Sequence, residues 1–337
     1  DEYIDSGVTQ MTGNVLAYLE RLDDEFYKSL QLADPHTPDY VTRLKDEVPL
    51  VNLMQDTLSY YDTKIAALAA AGAQAEAEAG EQKAEAEVME RDGARVAGRI
   101  VEHVYYREQS LFNTAMQNAI KRKKVLQEAC DATAAAAKSA VAAAEAEEAA
   151  AEEEDDESDD EATKPVSALR KAADAALAAH TAAMAAYNEF GVPRAMELSS
   201  EIALLAKRVY AHGTDRAKTR TLLCAVYHSA LHERYQEARD LLLMSHLADS
   251  IHQFDISTQI LYNRALVRCG IAAFQRGLLP EAHSALMELA SGARLKELLA
   301  QGVSSQRFGD RNLEQEKQER RRLVPYHMHI NLELVEA

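Results

Sequence analysis

His228 and His232 lie four residues apart. On a helix that spacing puts two imidazoles on one face, the geometry a divalent metal takes from its first two ligands. A zinc peptidase would carry Glu where Ser229 stands, and no third ligand is spaced to join the pair, so packing outweighs coordination and no metal or other cofactor is expected. His327 and His329, two apart, do not share a helix face. Cys130, Cys224 and Cys269 are odd in number, distant from one another and without a Cys-x-x-Cys, which suggests neither a disulfide framework nor a zinc site and favours a reducing, cytosolic or nuclear setting. No phosphate-cradling glycine loop and no Gly-x-Ser-x-Gly occurs, so no enzyme is expected. What remains is charge. Lys121, Arg122, Lys123 and Lys124 follow a dozen residues without an acid, and Lys207 with Arg208 heads a second basic stretch that includes Arg216, Lys218 and Arg220. Both are candidate contacts for nucleic-acid phosphates, and four such contacts would give a log–log salt slope of about −3.6. A third run, Lys317 with Arg320, Arg321 and Arg322, interleaves with Glu314, Glu316 and Glu319 and is expected to pair with them. Ser158, set among acids from Asp155 to Glu161, is a candidate phosphosite, where phosphate would only deepen charge already present.

The elements that must position these groups read as helices. Glu233-x-Tyr235-x2-Ala238-x3-Leu242 is answered 44 residues later by Gly277-x-Leu279-x2-Ala282-x3-Leu286. Tyr235, Ala238, Leu242, Gly277, Ala282 and Leu286 are therefore candidate repeat-packing positions, with alanine admitting a partner helix and leucine filling the seam one turn on. Near the amino end, Val15, Leu19, Leu22, Phe26 and Leu30 form an apolar face, Thr37-Pro38 is a helix start, and Pro49 is expected to interrupt the helix it falls in. Thr214 is expected to cap a helix whose apolar face runs from Leu222 to Leu231. No stretch alternates as a strand would, so the fold is expected to be all-α: a helical-repeat solenoid, similar to tetratricopeptide-type arrays, with an acidic disordered linker. The divisions are an N-terminal helical hairpin over 1–63, an Ala/Glu-rich helical insertion over 64–98, helices ending in the basic cluster over 99–130, an acidic low-complexity linker over 131–167, and a repeat arm over 168–337. The linker lacks large apolar side chains to offset the entropy of ordering. Twelve of its acids lie between Glu145 and Glu161, so the net charge of −18 describes one segment more than any face of the protein. No apolar run approaches the roughly 18 residues of a membrane span, and no membrane partner is expected.

Longer strings carry a resemblance. Tyr227-His228-x-Ala230-Leu231-His232, Tyr235-Gln236-x-Ala238-Arg239-Asp240, Met244 to Leu247, Gln259 to Arg264, Arg311 to Arg322 and Val324 to Leu334 resemble the C-subunit family of eukaryotic translation initiation factor 3, as do Asp24-Glu25-Phe26, Asp34-Pro35-His36 and Leu44 to Glu47. The resemblance covers 22–47 and nearly all of 210–336. It implies a non-enzymatic subunit whose helical arm leads into a PCI domain and winged helix past residue 337. The implied partners are other, PCI-type subunits of the factor and the small ribosomal subunit, through its RNA and proteins. Initiation factors 1 and 5 are implied to bind parts of the protein outside this chain. On that reading Lys121, Arg122, Lys123, Lys124, Lys207 and Arg208 become candidate ribosome contacts. Two other readings of the architecture are a PCI-type scaffold of the proteasome lid or signalosome, and a tetratricopeptide-like module gripping a peptide.

Overall fold

The computed structural model describes residues 13–72, 79–153, 163–290, 295–302 and 322–336. Among them there is no strand, and the chain is helical as expected. The helices are α1 (Val15–Leu32), α2 (Pro38–Leu44), α3 (Glu47–Gly72), α4 (Ala79–Val104), α5 (Gln109–Glu153), α6 (Thr163–Glu189), α7 (Leu198–His212), α8 (Asp215–Leu231), α9 (Tyr235–Met244), α10 (Leu247–Ser250), α11 (Ile256–Gln275), α12 (Leu279–Ala290), α13 (Leu295–Leu298) and α14 (Leu332–Glu336). They form two compact units, residues 1–112 with 195–337, and residues 113–194.

In the larger unit each helix packs on the next: α3 on α4, α4 on α7, α7 on α8, α8 on α9 and α11, and α11 on α12. This is solenoid order. Ala94, Val96 and Ala97 of α4 are buried along with Ile100, Val101 and Val104, so the last residues of the expected insertion, 64–98, belong to the core. Asn14 caps α1 by accepting from the Ala17 amide at 3.0 Å. The buried face of α1 is Leu16, Leu19, Asp23, Phe26 and Leu30, whereas Val15 and Leu22 are 40% and 51% exposed. The face is rotated from the one the apolar residues alone suggest because Asp23 must point inward to partners on α4. Thr37 does precede α2 with Pro38 at its start, but its hydroxyl donates to the Asp34 carbonyl at 2.8 Å and does not cap. Pro49 interrupts nothing. The chain breaks at Lys45-Asp46, and Pro49 falls in the first turn of α3, where a missing N–H has no helical partner to lose.

The two repeats superpose in logic as well as spacing. Thr214 caps α8 by accepting from the Ala217 amide at 3.4 Å. After α11, Gly277 takes φ +77°, and the Leu278 and Gly277 amides return to the Ala273 and Phe274 carbonyls at 2.9 Å, a Schellman closure. After α8, Glu233 stands in the same place with φ 59°, and the Arg234 and Glu233 amides return to Ser229 and Ala230 at 2.9 and 3.2 Å. Ala238 and Ala282 are buried, with Tyr235 beside them, and Leu242 and Leu286 are half-buried against the core. A methyl group on Gly270 would sit 2.7 Å from Leu286 Cγ, so Gly270 is the close-approach point between α11 and α12.

The smaller unit pairs α5 with α6. Inward positions on α5 are Met116, Ala119, Lys123, Leu126, Cys130, Thr133, Ala137, Ala140 and Ala144, and on α6 Ala173, Ala176, His180, Ala183 and Tyr187. Steps of three and four alternate throughout. That is a heptad seam, the pattern of a left-handed coiled coil. Of the linker expected over 131–167, residues 131–153 fall in α5 and 163–167 in α6, while residues 154–162 lie outside the described residues. Alanine loses no side-chain entropy in a helix and is its best former, so an alanine run that finds a partner orders without bulky side chains.

Candidate functional site

The basic cluster divides on the surface of α5. Lys123 sits on the inward seam with its ammonium 5.0 Å from the Tyr187 ring centre, and the Arg122 guanidinium lies 5.4 Å from that of Phe190. Lys121 and Lys124 are exposed and have no acid partner among the described residues. The aromatic partners are more than 60 residues away in sequence, which is why no aromatic interleaving is visible around 121–124. The second basic stretch is largely consumed within the larger unit. Arg208 pairs with Asp62 and lies over Gly93, where any side chain would collide with its guanidinium. Arg216 pairs with Asp255 at 3.0 Å and Arg220 with Glu102 at 2.6 Å, tying α8 to α11 and α4. Lys207 alone of that pair is exposed. Ser158, Lys317, Arg320 and Arg321 lie outside the described residues.

His228 is buried and committed. Its Nδ1–H donates to the Tyr105 carbonyl at 3.1 Å, and its Nε2 accepts from the Ser199 hydroxyl at 3.2 Å. The His232 ring packs edge-on at 4.4 Å between centres. Burial, with the His232 ring adding to it, pushes His228 down to about 4. Such an imidazole is too weakly basic to activate Ser199 near neutrality. Among the described residues no group of three or more His, Cys, Asp or Glu is placed to hold a metal.

The densest chemistry is a buried network that the sequence patterns do not announce. Asp23 of α1, Glu47 at the start of α3 and His103 near the end of α4 are all buried. His103 Nε2 meets Asp23 Oδ1 at 2.8 Å and its Nδ1 meets Glu47 Oε1 at 3.1 Å, so both ring nitrogens face carboxylates and both carry protons. Burial pulls His103 down, but the hydrogen bonds to Asp23 and Glu47 outweigh it and hold the imidazolium up at about 9. Glu47 is likewise pushed up by burial and brought down to about 2 by His103, Arg107 and Tyr106. Arg99 pairs with Asp23 at 2.9 Å and Arg107 with Glu47 at 2.7 Å, which completes the compensation of the buried charges.

The network continues into the C-terminal segment, 323–330. Tyr106 donates to Glu47 at 2.7 Å and so must accept from His327 Nε2, 3.2 Å away. The His327 backbone amide donates to the Tyr40 oxygen at 3.2 Å, leaving the Tyr40 hydroxyl to donate to His327 Nδ1 at 2.8 Å. His327 is therefore a neutral Nε2–H tautomer, and burial holds it down at about 4. One residue on, the Met328 carbonyl accepts from Arg264 at 2.6 Å. Arg264 is 1% exposed and lies 5.8 Å over the Tyr227 ring, and its Nε and Nη1 are buried without a partner among the described residues.

A family model described as "Eukaryotic translation initiation factor 3 subunit 8 N-terminus" matches residues 1–337. The chain belongs to this family. It is 32% identical over 338 residues to the C subunit of eukaryotic translation initiation factor 3 from Schizosaccharomyces pombe, covering 98% of this chain and 27% of that protein. It is 34% identical over 337 residues to the C subunit of Chaetomium globosum, covering 100% and 30%, and 32% identical over 338 residues to that of Culex quinquefasciatus, covering 100% and 27%. The chain thus spans less than a third of the length of these relatives. Two of the stretches that resemble the family, 22–47 and 324–334, meet in the fold: Asp23, Tyr40 and Glu47 from the first join His327 of the second through one hydrogen-bonded network.

Proposed function

We propose that this chain is the helical arm of a C subunit of translation initiation factor 3, and that it works by docking, without chemistry of its own, as the factor assembles on the small ribosomal subunit. The match of the family model along the whole of 1–337 carries this reading, and favours it over a proteasome-lid or signalosome scaffold. Other subunits of the factor are its neighbours, and initiation factors 1 and 5 engage parts of the protein outside this chain. A cytoplasmic location follows from that role. No helix among the described residues is long and apolar enough to cross a membrane.

The ribosome-facing positions in this reading are Lys121 and Lys124, with Lys207 as a further point charge; Arg122, Lys123 and Arg208 serve the fold. The test is co-sedimentation of the tagged full-length protein, within its factor complex, with small ribosomal subunits across a salt series. Replacing Lys121 and Lys124 by Ala should lower the log–log salt slope by about 1.4–1.8, the counterion release of two phosphates. An unchanged slope would remove the phosphate contact. Affinity purification checks the wider reading, which requires initiation-factor subunits to co-purify and fails if protease or deneddylation subunits do.

A further inference from the structure

The segment 323–330 is not part of any α-helix of the unit. Its main chain is read by side chains: Gln31 of α1 donates to the Leu323 carbonyl at 3.1 Å and Arg264 of α11 to the Met328 carbonyl at 2.6 Å. The Val324 amide donates to the Ala300 carbonyl at 2.9 Å. Pro325, Met328 and Ile330 are buried, whereas Tyr326 and Asn331 face out. The backbone is extended on either side of a single 3₁₀ turn, with φ −53° and ψ 143° at Pro325 and φ −64° and ψ 144° at His329. An imidazole clamped by two tyrosine hydroxyls adds side-chain specificity. Carbonyls held by fixed donors, spaced apolar anchors and one polar reader are the features by which grooves recognise extended peptides.

We propose that the trough lined by Gln31, Tyr40, Tyr106 and Arg264 is a peptide-binding groove, and that Leu323-Val324-Pro325-Tyr326-His327-Met328-His329-Ile330 is its resident ligand, bound reversibly in cis. The groove's ligand class is an extended peptide with a Pro-x-His-Met-x-Ile pattern. The seat is imperfect. The two unpartnered nitrogens of Arg264 are buried donors that this ligand leaves unsatisfied, a cost the closed state carries and an open one sheds to water. Covalent attachment compensates, because a tethered segment is present at an effective concentration on the order of millimolar, which keeps a ligand of micromolar affinity almost fully seated. The unit then has a closed form, with the segment joined to Tyr40 and Tyr106 through His327, and an open form with a vacant groove able to take the same pattern in trans.

The experiment uses the whole 337-residue chain with a protease site inserted after Gly302. After cleavage the helical circular-dichroism signal should persist. The freed C-terminal piece should exchange with a labelled synthetic peptide of residues 322–336, binding in the micromolar range. Peptides carrying His327→Ala or Met328→Ala should bind at least tenfold more weakly, and Tyr40→Phe in the chain, which keeps the ring and removes the hydroxyl, should weaken the unmodified peptide several-fold. Loss of helicity on cleavage, a piece that never exchanges, or equal binding by the Ala-substituted peptides would each overturn the proposal, by making the segment a fixed part of the core or its binding unspecific.

Discussion

The two units are built from the same secondary structure and held together by opposite means. In the larger one, bulky residues such as Leu19, Met54, Ile100, Leu205 and Leu223 fill the core, and a charged network from Asp23 to Arg107 is buried among them. In the smaller one the seam is mostly alanine, with Met116, Leu126, Cys130, Thr133, His180 and Tyr187 among it, and its polar contacts include Arg122 on Phe190, Lys123 on Tyr187 and the Thr133 hydroxyl 3.4 Å from His180 Nδ1. Where side chains are large, their shapes and buried charges specify which helix meets which. Where they are small, specificity falls to register, and stability to helix propensity.

The sharpest break in that contrast is His103→Ala, which strips the central cation from between Asp23 and Glu47; a loss of about 3–5 kcal/mol is expected in denaturant melts. A loss under about 1 kcal/mol would mean that Arg99 and Arg107 suffice alone. The same network should answer to pH from both sides. His103, held at about 9 against an ordinary 6.5, contributes stability that is complete below about pH 6.5 and lost as pH rises towards 9, up to roughly 3 kcal/mol. His327, held at about 4, contributes stability that is complete above about pH 6.5 and lost as pH falls towards 4. Melts at pH 5, 6.5 and 9 should therefore show a maximum in the middle, and equal stability at pH 6.5 and 9 would count against a buried imidazolium. In the smaller unit, Ala137→Leu should cost about 1–3 kcal/mol by forcing bulk into a seam built for methyl groups. If it stabilised instead, the seam would be loosely packed. Smaller still are the two helix closures, which compare one repeat with the other. Gly277→Ala should destabilise by about 1 kcal/mol, and Glu233→Gly should stabilise by roughly a few tenths to 1 kcal/mol, because only the latter relieves a side chain held at positive φ.

How much of this was legible in the chain follows the distance over which each cause acts. The repeat seam at Tyr235, Ala238, Ala282 and Leu286 is local, set by spacing within one helix; the first three are buried and Leu286 packs against the core. The face of α1 was not, because the inward turn of Asp23 depends on Arg99 and His103, which lie 76 and 80 residues away. The alanine run after Thr133 reads as a linker when its entropy is weighed alone, and becomes a helix once α6 supplies a partner. The basic cluster was visible as charge, but its division into exposed and stacked residues depends on Tyr187 and Phe190. The motif around His327 could be matched to a family without revealing that its ring closes on Tyr40 and Tyr106.

The heptad seam has a consequence for how such a hairpin can change over time. About seven residues added to both helices at one level of the seam would lengthen the pair by about 10 Å while every older pair keeps its neighbour. An addition of one or two residues on one strand would rotate all that follows out of the seam. Insertion and deletion here should thus come in whole periods, and the size of this arm is a quantity that descent can adjust in steps while the base stays as it was.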